Sequence, residues 1–169
     1  MRAWWLFLAW LALPQVPSPV QTKPIETKHL TLTVSTGAAV AGKVPLHVDV
    51  TPRENMHVYA PGQPGYIAIA LTLDADAPVR AAGKAKYPAG DKLFMPALNE
   101  TQLVYVKPFR ITQDVTIPRP APGGPLTIKG TVRYQACDDK ICYNPVSLPL
   151  SWKVELKPSV AGAPPAATR

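Results

Sequence analysis

Cys137 and Cys142 are the only cysteines in the chain and stand in the segment Tyr134-Gln135-Ala136-Cys137-Asp138-Asp139-Lys140-Ile141-Cys142-Tyr143-Asn144-Pro145. Two thiols separated by a loop from Asp138 to Ile141 can form a local disulfide once the flanking strands pair, because a hairpin brings their Cβ atoms within bridging reach. The chemistry open to such a pair is thiol–disulfide exchange, in which a thiolate attacks one sulfur and a second thiol resolves the mixed disulfide. A structural staple is the other reading. In the chain-entropy picture a loop this short stabilises by roughly 2 kcal/mol, against about 4.7 for a 100-residue loop, so stability alone is a weak reason for the bridge. A plain structural disulfide is nonetheless the commoner case in exported proteins, and spacing leaves both readings open.

The strand leading to Cys137 alternates: Ile128, Gly130, Val132, Tyr134 and Ala136 share one side, while Lys129, Thr131, Arg133, Gln135 and Cys137 share the other. Parity therefore predicts Cys137 on the polar face and an accessible bridge. Charge does not select the attacking sulfur. Asp138 and Asp139 would raise a thiol pKa, and Lys140 and Arg133 would lower it.

The elements that must position this pair read as all-β. Strand candidates are His29–Val34, Val44–Val50, Met56–Ala60, Tyr66–Asp74, Val79–Lys86, Gln102–Pro118, Leu126–Cys137 and Val146–Leu156, with no sustained helical stripe between them. Many of the 21 prolines fall between these runs, where a missing amide donor does least harm. About seven or eight short strands with intervening turns predict an antiparallel β-sandwich of immunoglobulin type. Gln102–Pro118 is long for one strand, and Pro108 is expected to divide it by a bulge or a switch between sheets.

At the N-terminus, Met1-Arg2 precedes the apolar run from Ala3 to Leu13 and then Pro-rich sequence, which reads as a signal peptide over residues 1–21, with no Ala-x-Ala marking its cleavage site. Residues 22–156 form the expected domain, about the usual size for one core, and residues 157–169 a disordered Pro/Ala-rich tail. The expected product is exported, soluble and monomeric. The net charge of +7 is scattered, with no basic run or interleaved aromatics, so nucleic-acid binding is not expected. His29, His47 and His57 are dispersed and far in sequence from the cysteines, and no metal-ligand spacing, blue-copper pattern, phosphate loop or nucleophile elbow is present. No cofactor is expected beyond a redox-active disulfide.

The segment Val132-x-Tyr134-Gln135-Ala136-Cys137 with Cys142-Tyr143 and Pro145 resembles the N-terminal domain of the thiol:disulfide interchange protein DsbD. Met56-His57-Val58-Tyr59 and the stretch containing Pro88, Gly90, Phe94 and Tyr105 add weaker support, and the resemblance covers roughly residues 25–156. It implies an immunoglobulin-like domain that carries reducing equivalents between thioredoxin-like proteins in the periplasm, including those of cytochrome c maturation. Cys142 is then the sulfur in the mixed disulfide and Cys137 resolves it. Phe94 becomes a cap over the disulfide, Asp91 a candidate proton acceptor, Tyr59, Tyr134 and Tyr143 candidates to flank the sulfurs, and Gln135 a candidate to orient the loop. The family often has Cys-Tyr-Pro-Pro, where this chain has Cys142-Tyr143-Asn144-Pro145. Its best-known members continue into a membrane domain and a second thioredoxin domain. A tail ending at Arg169 can form neither, which implies a separate membrane electron transporter as partner. The rival expectation is a non-catalytic binding or structural sandwich with an inert disulfide.

Overall fold

The computed structural model describes residues 23–39, 43–96, 98–118 and 123–156, and within them it contains strands and no helix. In chain order these are β1 (Ile25–Glu26), β2 (Leu30–Thr36), β3 (Lys43–Pro52), β4 (His57–Tyr59), β5 (Ala70–Leu73), β6 (Arg80–Ala81), β7 (Asp91–Met95), β8 (Glu100–Tyr105), β9 (Phe109–Thr116), β10 (Gly124–Tyr134), β11 (Ala136–Cys137) and β12 (Val146–Leu156). The segments read as signal peptide and tail lie outside the described residues. No described helix is long and apolar enough to cross a membrane.

Period-two patterning produces the sandwich. In β3, Val44, Leu46, Val48 and Val50 are buried while the residues between them are not, and in β12 Leu150, Trp152 and Val154 do the same. The inward faces of a five-stranded sheet, ordered β1-β2-β3-β9-β6, and a three-stranded sheet, ordered β12-β10-β5, supply most of one core. All strand pairs in both are antiparallel. Fully buried aliphatics such as Leu46, Val48, Ile111 and Ile128 each contribute roughly 1.5–3 kcal/mol relative to exposure. The Trp152 indole N–H donates to the His47 carbonyl at 3.0 Å, so this buried aromatic keeps its polar atom satisfied while tying β12 to β3. Gly130 lets β5 approach β10, because a Cβ there would lie 2.7 Å from the Thr72 carbonyl oxygen.

The third sheet, ordered β11-β4-β8-β7, holds the cysteines. One of its faces, through Val58, Tyr105 and Ala136, joins the main core, and the other carries a small cluster of Tyr59, Val104 and Cys137. Two strands reach this sheet by leaving another. The Gln102–Pro118 run breaks before Pro108 into β8 in this sheet and β9 in the five-stranded one, which is the switch expected at that proline. The second switch, at Gln135, is the one that parity missed. β10 ends at Tyr134 in the three-stranded sheet, and β11 restarts at Ala136 paired with β4. Alternation carries across this switch, with Tyr134 and Ala136 in the main core and Cys137 on the opposite face, but that face is covered by Tyr59, Val104 and Leu93, so Cys137 is only 1% exposed. Cys137 thus lies on the face that parity gave it, but the expectation that this face is polar and leaves Cys137 accessible is corrected.

Candidate functional site

Cys137 and Cys142 form a disulfide with Cα atoms 4.0 Å apart, and the two residues also make an antiparallel bridge that closes the loop between them. Asp138 builds that loop. Its Oδ1 accepts the backbone N–H groups of Lys140 and Ile141, each at 2.8 Å, and its Oδ2 accepts the Tyr143 hydroxyl at 2.7 Å. The Ile141 amide, the Tyr143 hydroxyl and the Lys140 amide all favour the ionised carboxylate and hold its pKa down at about 2. Beyond the loop, the Tyr143 N–H donates to the Ala136 carbonyl at 2.9 Å. The Gln135 amide donates to the Tyr143 carbonyl at 3.2 Å and accepts the Ile67 N–H at 3.4 Å. The residue at the sheet switch thus also holds the segment after the second cysteine.

The two sulfurs differ in environment. Cys137 is buried, whereas Cys142 is exposed beside Ile141, itself 56% exposed. Tyr59 lies under the bridge with its hydroxyl 3.3 Å from the Cys137 sulfur and 3.4 Å from the Cys142 sulfur, and since a disulfide sulfur carries no proton the hydroxyl is the donor. Its ring stacks on Tyr66 with centroids 4.3 Å apart. The Tyr66 hydroxyl donates to Glu100 at 2.8 Å, and the buried Gln102 amide donates to both, at 3.0 Å and 2.6 Å. Burial first, then the neighbouring Tyr66 and the Glu100 charge, push the Tyr59 phenol up to about 12 against the opposing Gln102 amide, so it remains a protonated donor at neutral pH.

The remaining expected site residues fall in different places. Tyr134 is fully buried in the main core with its hydroxyl 3.2 Å from that of Thr27. Tyr143 packs its ring on His29, with centroids 4.5 Å apart, and commits its hydroxyl to Asp138. Tyr59 is the one of the three tyrosines with a hydrogen bond to sulfur. The segment around Phe94 is the edge strand β7, paired with β8 from Asp91↔Val104 to Met95↔Glu100. Alternation along it puts Leu93 against the Tyr59–Cys137 cluster and Phe94 on the opposite face, 55% exposed. Asp91 stands exposed at the start of that strand. Gly90 just before it permits close passage, since a Cβ would lie 2.7 Å from that of Ala60, and the Tyr105 hydroxyl fixes the approach by donating to the Pro88 carbonyl at 2.7 Å.

Distance in sequence concealed two histidines. His57 is the cross-strand partner of Cys137 and lies edge-on to Tyr59, with ring centroids 5.7 Å apart, and His29 lies against Tyr143. The signal for His57 was its position two residues before Tyr59 in a strand candidate, which puts both on one face. Among the described residues, no group of three or more His, Cys, Asp or Glu could hold a metal ion.

An antiparallel sandwich whose third sheet presents a short hairpin disulfide, one sulfur buried and one exposed, defines an all-β disulfide-bearing domain. The family model for the N-terminal region of the thiol:disulfide interchange protein DsbD matches residues 15–148, and the chain belongs to that family. Among solved structures, the N-terminal periplasmic domain of ScsB from Proteus mirabilis is similar with a TM-score of 0.56 and 11% identity, over 82% of this chain and 52% of that one. The chain thus spans about half the length of that domain. The GAE domain of yeast GGA1 matches with a TM-score of 0.39 and 11% identity, over 75% of this chain and 94% of that one. No curated protein sequence matches the chain.

Proposed function

We propose that this protein is an exported, monomeric module that passes reducing equivalents between thioredoxin-like proteins by exchange at Cys137–Cys142, with a separate membrane electron transporter among its partners. The observation that carries the reading is the asymmetry of the bridge. Exchange requires in-line approach of a thiolate to one sulfur, and the exposed Cys142 offers that approach while Cys137 is buried beneath Tyr59. Cys142 is then the sulfur of the mixed disulfide, and Cys137 is the thiol that resolves it. Membership of a thiol:disulfide interchange family agrees with this chemistry.

Trapping separates the roles. Cys137→Ala leaves an exposed thiol with no resolving partner and is expected to accumulate a mixed disulfide with an oxidised thioredoxin-like protein, whereas Cys142→Ala leaves only a buried thiol and is expected to trap far less. Equal trapping by both variants would overturn the role assignment, and trapping by neither would favour a sandwich with an inert bridge.

A further inference from the structure

The resolving step requires Cys137 to lose a proton in a place where burial disfavours the thiolate. An acceptor must therefore stand nearby inside the protein. The β4–β11 register pairs Cys137 directly with His57. Antiparallel partners project to the same face with Cβ atoms about 4.5–5.5 Å apart. The contacts agree, because Tyr59, two residues from His57 on the same face, touches both the His57 ring and the Cys137 sulfur. His57 is 2% exposed, and its Nε2 is buried with no hydrogen-bond partner. An unpaired buried polar atom costs free energy, so its place beside a redox sulfur calls for a use.

Resting on the exchange reading above, we propose that His57 is the base that accepts the Cys137 proton when the mixed disulfide at Cys142 is resolved. In the reduced protein the Cys142 thiolate first attacks a partner disulfide, forming a bond to one partner sulfur and releasing the other as thiolate. His57 then takes the proton from the Cys137 thiol. The Cys137 sulfur attacks that of Cys142, the Cys142–partner bond breaks, and the second partner sulfur departs with the electron pair. The imidazolium then gives its proton to the departing thiolate or to water. Two electrons have passed to the partner, whose two sulfurs leave as thiolates and are protonated by the one proton relayed through His57 and one from solvent, and Cys137–Cys142 is restored. Burial keeps the imidazole uncharged at neutral pH and hence able to accept. The charged and titratable groups acting on it are Tyr59 from its own strand, Cys137 from β11, and Asp138 and Asp139 from the following loop, whose charges favour the imidazolium once formed.

The test follows the two steps separately in the mature protein, reduced and then oxidised by glutathione disulfide, with acid quenching and intact mass measurement across pH 5–9. His57→Gln is expected to leave formation of the glutathione adduct within about twofold and to slow its release at least about tenfold at pH 7, a floor set below the roughly 10²–10⁴-fold typical of general-base catalysis. The wild-type release rate should fall as acid protonates His57, and in the variant this inflection should vanish. If the variant folds poorly, NMR titration of His57 in the wild type decides the matter: its pKa should rise on reduction, when a Cys137 thiolate can form beside it. An unchanged His57 titration on reduction, or equal slowing of both steps by His57→Gln, would overturn the proposal. Release that ignores His57 while exchange proceeds would sink this inference alone, whereas no exchange with glutathione disulfide would sink the redox reading with it.

Discussion

Removing the Tyr59 hydroxyl alone isolates what it does for the bridge. Tyr59→Phe keeps the ring that stacks on Tyr66 and closes the core under Cys137, and deletes only the donor lying 3.3 Å and 3.4 Å from the two sulfurs. In the oxidised protein those contacts are long and the acceptors weak, so the loss of stability should be at most about 1 kcal/mol, the centre of the range for one net hydrogen bond. Reduction changes the balance. A thiolate attacking Cys142 expels the Cys137 sulfur as a developing anion, and a hydrogen bond to a charged group is worth roughly 1.5–3 kcal/mol. If about half of that is realised in the transition state, the loss is about 1 kcal/mol, or roughly fivefold in rate. The assay is the second-order rate of reduction by a small thiol, alongside a urea unfolding curve. An unchanged rate in a folded variant would refute the donor role. A loss above about 3 kcal/mol with an unchanged rate would make Tyr59 a packing residue only.

Replacing both cysteines by alanine should lower stability by no more than about 2–3 kcal/mol, mostly through the unfolded chain, because the enclosed loop is short and Cys137 belongs to a small satellite cluster; an unfolded monomer at 25 °C would contradict this. Leu93→Ala should speed reduction of the wild-type bridge by small thiols, since Leu93 packs on the Tyr59–Cys137 cluster, while Phe94→Ala should change neither that rate by more than about twofold nor stability by more than about 1 kcal/mol. Faster reduction in the Phe94 variant alone would assign the cap to Phe94 instead. Burial lowers the pKa values of His29, His47 and His57, so the unfolded chain protonates first and stability should fall as pH drops from about 6.5. The lowered carboxyls of Asp138, Asp114 and Glu100 add a second loss below about 4.5. Tyr59 and Tyr105, raised to about 12 chiefly by burial, give a third loss above pH 10. Unfolding midpoints measured from pH 2 to 11 should form a plateau between about 7 and 10, and a maximum near pH 5 would contradict the histidine contribution.

The parts of the fold that were legible in the sequence are those where one strand keeps one pair of faces. Leu46, Val48 and Val50 in β3 and Leu150, Trp152 and Val154 in β12 alternate throughout and are buried as their parity requires. Pro108 marked a sheet switch because it cannot donate to a ladder. Gln135 carries no such mark, and no local pattern shows that Tyr59, Val104 and Leu93 cover the face on which parity placed Cys137. β7 was hidden for a related reason: as an edge strand exposed on most of its length, Asp91–Met95 lacks a continuous apolar alternation. Site contacts made through tertiary pairing, above all His57 opposite Cys137 and Asp138 on Tyr143, follow from register and loop hydrogen bonds that the local pattern does not encode.

Exchange at Cys137–Cys142 is tested most directly by the reduction potential of that pair, measured by equilibration of the protein with glutathione and dithiothreitol buffers at pH 7. A bridge that carries electrons between thioredoxin-like proteins should equilibrate with these buffers at a potential above about −300 mV. A value below about −300 mV, the range of inert structural disulfides, would contradict the account.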